Sequence, residues 1–443
     1  MQRKSFWTAR ETREYPMLRG RITADVAVIG GGLSGLTVGL WLSRAGLRVA
    51  LVEAGELGSG TTAYCAGMVS LADGLQYTAL EKRLGAQAAQ AYAQTQKAAL
   101  SAVRELAREG GVECAELDGF LLARKGGEER LGGEAEAMKR AGVPAMYEPC
   151  EPPAGFASAA LRIHPTLALH TAHYLHALAR RLEANGGAIF ERSRVRAVEI
   201  NEVSTERGTI QAPYLVVATD YPIVNIPGWY FLRMRQRQCQ LVPLVGEATF
   251  HGVYAAADGS FALRPLARGA LLQCNGAYVG TGGEAREQAR SIAEHLGMEC
   301  AEERYPALEC YTPDGLPFIG PYSAKTPNLF VASGYGGRGI LGSMAAAQAI
   351  SARILGLPAE GYELYSGQRG LPSARMPLQI AGRYLQGLVA RPSAPRCPHM
   401  GCRLVQNPMT GLWECPCHGS RFDGIGHIVN APAVHDAALQ NRR

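Results

Sequence analysis

No stretch of the chain approaches the ~18 consecutive apolar residues that a membrane-crossing helix needs, although 47% of its 443 residues are hydrophobic. Charge of one sign is equally undeveloped: 45 Lys and Arg stand against 39 Asp and Glu, the net charge of +6 is spread along the chain, and aromatics make up 7%. A nucleic-acid surface gathers its cations into a patch, so that partner has no support. The N-terminus, Met1-Gln-Arg-Lys-Ser-Phe-Trp-Thr, lacks the apolar segment of an export leader, and a cytoplasmic location without membrane anchoring is expected. Eleven cysteines do not read as a disulfide framework, because Cys65, Cys114, Cys150, Cys239, Cys274, Cys300 and Cys310 are scattered. Length and composition predict two or three ordered domains.

What is present concentrates at the two ends. Near the C-terminus, Cys397-Pro-His399 and Cys415-Pro-Cys-His418 offer two thiolates and two imidazoles on glycine-bearing loops, with Gly401 and Gly419 allowing tight turns. A structural zinc site could use the same ligand types, but it normally places both cysteines before both histidines, whereas here they alternate. A Rieske [2Fe-2S] centre takes two Cys on one iron and two His on the other. The segment resembles the Rieske family at every ligand.

That resemblance implies more. Cys402 and Cys417 match the cysteines that form a loop-tying disulfide in one Rieske subgroup. Ala431-Pro432-Ala433 is similar to the proline loop lying over the cluster. Ser420 matches a hydroxyl donor to the cluster, but Phe422 stands where high-potential members carry tyrosine, so a lowered potential is expected. The final strand of this module is expected to be short or missing.

At the other end, Asp25-Val-Ala-Val-Ile29 reads as a buried strand running into Gly30-Gly31-Gly32-Leu33-Ser34-Gly35, a G-x-G-x-x-G turn in its proper context. Gly30 makes the turn, Gly32 admits a pyrophosphate, Gly35 permits close helix packing, and the helix N-terminus faces the phosphate charge. Leu36, Leu40 and Leu42 continue the helix, Gly46 stops it, and Arg48-Val-Ala-Leu-Val52 ends in Glu53, placed to accept from a ribose hydroxyl, with Ala54 beside it. The fingerprint alone admits NAD as well as FAD.

Later segments resemble the D-amino-acid oxidase and glycine oxidase superfamily and turn the choice to FAD. Gly58-Ser-Gly-Thr-Thr62, with Gly60, Thr61 and Thr62, is similar to its second flavin loop. Leu215-Val-Val-Ala-Thr219 resembles the adenosine-side strand, with Ala218 and Thr219 near the cofactor and Val195 meeting the adenine. Pro313-Asp-Gly-Leu-Pro-Phe-Ile-Gly320, containing Asp314, resembles the late flavin loop. The run from Asn328 to Ile340 resembles the last strand, glycine turn and helix start, implying contacts from Gly334, Gly336, Gly337, Arg338, Gly339 and Ile340. The likeness covers roughly residues 20 to 357 and, with the cluster motif, looks like flavoproteins that carry a fused Rieske domain.

The departures concern the substrate. Glu309 stands where the resemblance implies a carboxylate-gripping arginine. Arg338 is the candidate substrate contact, offset by one from the family's second arginine, and no other catalytic side chain is identified. Cys310 is too close to Asp314 for the pattern of covalent flavin attachment. His170, His173 and His176 lie at i, i+3 and i+6 of a predicted helix without a matching carboxylate, so helix surface is preferred to a metal site. Tyr221, Tyr254, Tyr278 and Tyr311 read equally as pocket or core.

The expected architecture is α/β: a Rossmann-like FAD-binding domain with an interleaved antiparallel substrate-side sheet, plus a small all-β Rieske domain. The oxidoreductase part is assigned to 1–365, with FAD-binding stretches about 20–75, 160–225 and 305–357 and substrate-side sheet about 76–159 and 226–304. A Gly- and Pro-bearing linker at 366–377 precedes the Rieske module at 378–443. One helical stretch is predicted from Tyr77 to Glu109, another from Thr171 to a stop at Gly186-Gly187, and strands follow from Gly187 to Ile200. The resemblance implies a dehydrogenase that oxidises a C–N bond of a small amine or amino acid and passes electrons through the cluster to an unidentified acceptor. An oxygen-using oxidase and a redox-sensing module without a small substrate are the rivals.

Overall fold

In a computed structural model, residues 5–7, 13–72, 74–149, 157–225, 227–279, 285–388, 395–407 and 410–439 are described. Met1–Lys4 and Cys150 fall outside them. A six-stranded sheet forms the flavin-side layer, in the order 318–323, 326–333, 214–220, 26–29, 49–52 and 188–190. All its pairs are parallel except that of the first two strands. Strands Val26–Ile29 and Val49–Val52 are buried at every position, which is why they read as continuous apolar runs. Helix Leu33–Arg44 packs beside helices Thr171–Ala184 and Gly339–Leu355.

Two glycines make that packing possible. Gly30 has φ 113°, and a Cβ there would lie 2.4 Å from the Ala218 carbonyl oxygen. A Cβ on Gly35 would lie 1.9 Å from the carbonyl oxygen of Gly30. The helix therefore approaches the strand end as closely as a phosphate-binding turn requires.

A second, ten-stranded sheet is led by Arg235–Val245, which pairs antiparallel with Ala270–Tyr278 and with Tyr305–Tyr311. It is not wholly antiparallel: Val253–Ala256 joins Cys114–Ala123 in parallel, a pairing across distant chain that no local pattern announces. A four-stranded sheet joins 20–23, 208–211, 202–205 and 195–199. The C-terminal module holds four short antiparallel strands, the last being Ile428–Asn430. Among the described residues no helix is long and apolar enough to cross a membrane.

Three local differences from the sequence reading have physical causes. The stretch from Tyr77 is two helices, Gln76–Leu84 and Ala86–Glu109, because Gly85 adopts φ 87° between them. A helix, Arg375–Leu388, crosses from the expected linker into the segment expected to be all β. Pro377 does not prevent it, since it falls in the first turn, where the N–H has no helical acceptor to lose. His170 caps helix Thr171–Ala184: its Nδ1 accepts from the His173 N–H at 3.3 Å, and the two rings stack 3.7 Å apart.

The segment after residue 365 is fastened to the late loop. Arg369 donates to both carboxylate oxygens of Asp314 at 2.9 and 2.8 Å, lies over the Phe318 ring, and donates to the carbonyls of Pro317 and Tyr365. Arg83 adds a second ion pair at 3.1 Å, and the Asp314 side chain is 1% exposed. Burial opposes ionisation of Asp314, but the Arg369 bonds and the two positive charges outweigh it and hold the carboxyl below its usual value. Removing Arg369 would leave the buried carboxylate only the longer Arg83 ion pair and the Leu316 N–H, a loss bounded by the about 3–5 kcal/mol typical of breaking a buried pair outright. Because the folded-state value is depressed, this stabilisation is present at neutral pH and is lost as pH falls through that value. Arg369→Ala is thus expected to lower the thermal midpoint clearly at pH 7 and progressively less below pH about 4. An unchanged midpoint at pH 7 would refute the assignment.

Candidate functional site

The glycine turn, the end of strand Val49–Val52 and the loop Gly58–Thr62 converge on one cavity of about 610 Å³. Its walls include Gly30, Gly32, Leu33, Ser34, Glu53, Ala54, Gly60, Thr61, Thr62, Val195, Ala218, Thr219, Gly336, Gly337 and Gly339. Glu53 accepts from the backbone N–H groups of Gly31 at 2.7 Å and Gly55 at 2.8 Å, and burial pushes its carboxyl up. A dinucleotide with its pyrophosphate at the helix N-terminus and a ribose hydroxyl at the acid of the next strand end would find its donors and acceptor here.

Five expected cofactor residues lie outside these walls. Gly35 serves the helix packing described above. Gly334 has φ 80° and sits against Thr312 and Met234. Asp314 is held by Arg369 and Arg83. Ile340 is buried in the last helix. Arg338 donates to the Tyr92 hydroxyl at 2.7 Å and to the Gly315 carbonyl, which gives its guanidinium partners within the fold.

Two acids also line the cavity, Asp220 and Glu309. Asp220, at φ 65°, accepts from the Thr61 hydroxyl at 2.9 Å, and burial lifts its carboxyl to about 7. Glu309 accepts from Gln273 and Tyr311, each at 2.9 Å, and burial raises it as well. The Asp220 carboxyl can therefore hold or release a proton near neutral pH. Of the other tyrosines singled out from sequence, Tyr254 stacks on Phe120 and Tyr278 receives the Arg235 guanidinium.

The cluster pocket is built from two matching turns. Cys397 N–H donates to Cys402 O and Gly401 N–H to Cys397 O, both at 2.8 Å; Cys415 N–H donates to Ser420 O at 2.8 Å and Gly419 N–H to Cys415 O at 2.9 Å. Gly401 and Gly419 take φ 78° and 84°, which favour glycine. The turns bring the His399 and His418 rings to 5.0 Å between centroids. The sulfurs of Cys402, Cys415 and Cys417 lie within 4.8 Å of one another, and the Cys397 thiol contacts Cys415 and Ser420. All ten described cysteines are free thiols.

The donor set fits a cluster. Nδ1 of His399 and of His418 are buried without a hydrogen-bond partner among the described residues. Burial lowers the two imidazoles to about 4 and about 3, so both are neutral, the form that binds metal, at neutral pH. Phe422 is fully buried in the module's core, beside the buried ion pair of Glu414 and Arg421 at 2.7 Å.

The two sites share a wall. Residues 428–431, 433 and 434 of the cluster module line the flavin cavity. Arg194 donates to the Ile428 carbonyl at 3.5 Å, and Arg196 donates to the Val434 carbonyl. The His418 ring meets the edges of Tyr221 at 6.3 Å and Phe231 at 5.9 Å between centroids. His399 Nε2 lies 2.5 Å from Asn225 Oδ1. Gly419 is pressed on Gln236, where a Cβ would meet the side-chain oxygen at 1.8 Å. Sequence reading missed Asn225, Arg194 and Arg196, and nothing in their local sequence marks them, because their partners lie more than 170 residues away. The proline loop was the one available signal, and it covers the flavin cavity from the cluster side.

A nucleotide-type cavity joined to a pocket of Cys and His ligands defines a flavin enzyme with a fused iron–sulfur module. Residues 25–353 match the family FAD dependent oxidoreductase, and residues 390–440 match the Rieske [2Fe-2S] domain. The chain belongs to the FAD-dependent oxidoreductase family, with a Rieske domain at its C-terminal end, and its cofactors are FAD and a [2Fe-2S] cluster. It is 25% identical to the Rieske 2Fe-2S iron-sulfur protein YhfW of Bacillus subtilis (strain 168), across 97% of this chain and 96% of that protein. It is 25% identical to the gamma-glutamylputrescine oxidoreductase of Escherichia coli (strain K12) across 48% of this chain and 53% of the relative. The fold is similar to that of glycine oxidase from Geobacillus kaustophilus, with a TM-score of 0.64 and 20% identity over 79% of this chain and 99% of that one.

If the cluster module holds the cavity shut, weakening its fastening should free the flavin. Each lost charge-assisted bond is worth about 1.5–3 kcal/mol. The variant Arg196→Ala, whose side chain is not part of the cavity wall, is therefore expected to release FAD about tenfold faster on dilution, followed by recovery of flavin fluorescence. Release at the parent rate would contradict the lid.

Proposed function

We propose that the chain is an FAD-dependent dehydrogenase that oxidises a C–N bond of a small amine or amino acid and sends the electrons out through its own Rieske cluster. The observation that carries this reading is the contact of His418 with Tyr221, the residue directly after Asp220 of the flavin cavity wall. A cluster ligand and the cavity are thus adjacent within one chain. The choice of a C–N bond is supported by the E. coli relative, whose name gives gamma-glutamylputrescine as its substrate, and by the glycine oxidase fold.

When bound, FAD accepts an electron pair from a substrate and the cluster carries electrons singly. The chain supplies the rest. Asp220 and Glu309 provide proton-holding carboxyls at the cavity wall, and residues 428–431, 433 and 434 wall it on the side of the cluster module. Glu309 disfavours a substrate carboxylate at its position through like charge whenever it is ionised. Cys402 and Cys417 are free thiols in this structure, and the nearness of their sulfurs supports them as the pair that a two-electron oxidant would join into a disulfide tying the two cluster loops. Electrons then leave to an external acceptor, for which a redox protein is the natural class.

Anaerobic mixing of the holoprotein with a panel of amines and amino acids tests the reading. One compound should bleach the flavin, and the reduced Rieske EPR signal should then rise. Flavin bleaching with a cluster that stays oxidised until oxygen is admitted would replace the dehydrogenase by an oxidase.

A further inference from the structure

The cluster's ligand histidines are not in equivalent surroundings. His418 is flanked by aromatic edges, whereas His399 meets one polar side chain from the oxidoreductase domain, Asn225. We propose that Asn225 is a positioning residue for the cluster: it fixes the tautomer and ring orientation of His399 across the domain junction and lowers the cluster's reduction potential. The inference rests on the presence of the cluster and is independent of which substrate is oxidised.

Three observations carry it. Asn225 Oδ1 stands 2.5 Å from His399 Nε2, while Nδ1 of the same ring is buried and has no partner among the described residues. If the amide oxygen accepts, Nε2 bears the proton and Nδ1 offers its lone pair to iron. The flipped amide would place the proton on Nδ1 and abolish the ligand, so iron binding selects the accepting orientation. Asn225 is also held in place: the preceding carbonyl, Val224 O, accepts from the Tyr322 hydroxyl at 2.6 Å, and Tyr322 is fully buried.

The electronic consequence has a definite sign. An acceptor on the remote ring nitrogen increases electron donation from imidazole to iron and favours the oxidised cluster. Deleting the acceptor should raise the potential, and a charged acceptor should lower it further. Loss of such an outer partner also typically weakens metal retention about 10–100-fold. With no hydroxyl at position 422, the oxidoreductase domain would thus share control of the potential with the module's own Ser420.

The test is an EPR-monitored redox titration of the full-length holoprotein and of Asn225→Leu and Asn225→Asp, with iron and FAD contents measured alongside. The expected order of midpoint potentials is leucine variant highest, parent intermediate and aspartate variant lowest, with altered g values and parental FAD content. Any other order overturns the proposal. If the leucine variant retains no iron, the aspartate variant decides alone: a lower potential supports the role, and an unchanged one overturns it. A failed search for an amine substrate would leave this outcome untouched.

Discussion

Burial of the cluster's histidine edge against the oxidoreductase domain is the contact on which the rest of the molecule depends. Two imidazoles removed from water must be neutral, must find partners, or must bind a metal. Here burial keeps His399 and His418 uncharged, Asn225 stands against one ring nitrogen of His399, and Nδ1 of each ring is left without a hydrogen-bond partner among the described residues. Swinging the module away would expose Tyr221 and Phe231 and break the Asn225 contact. A docked module is the state these residues favour.

One segment serves both cofactors. Ala218, Thr219 and Asp220 end a central strand in the flavin cavity wall, and the chain then continues through Tyr221, Asn225 and Phe231 on the cluster side. The strand is held by parallel pairing on both flanks from Leu215 to Val217, immediately before that end. The flavin cavity wall and the cluster contacts are therefore built on one strand of the central parallel sheet. The linker region adds to this through Arg369, whose pairing with buried Asp314 anchors the chain before it reaches the module.

How much was legible in the sequence follows the range of the interactions involved. The strand, glycine turn, helix and terminal acid around Gly30 and Glu53 could be read because backbone geometry and periodicity specify them locally. The ligands Cys397, His399, Cys415 and His418 could be read because chemistry restricts both donor type and spacing. Gly85 was taken as part of a helix although its positive φ divides two, and Pro377 was taken as a break although the first turn tolerates it. Arg338 was offered to a substrate on the strength of its place in the glycine turn, but Tyr92 and Gly315 engage it. Asn225, Arg194 and Arg196 had no signal, since each acts on a partner that only the domain junction brings near.

Flash photoreduction of the flavin in the anaerobic holoprotein addresses the central claim, that flavin and cluster exchange electrons within one chain. The rate at which the cluster's visible bands bleach after the flash would be followed across a wide range of protein concentrations. Direct transfer through the docked junction predicts a single first-order rate that does not change with concentration. A rate that grows in proportion to concentration, or a cluster that never receives the electron, would contradict it.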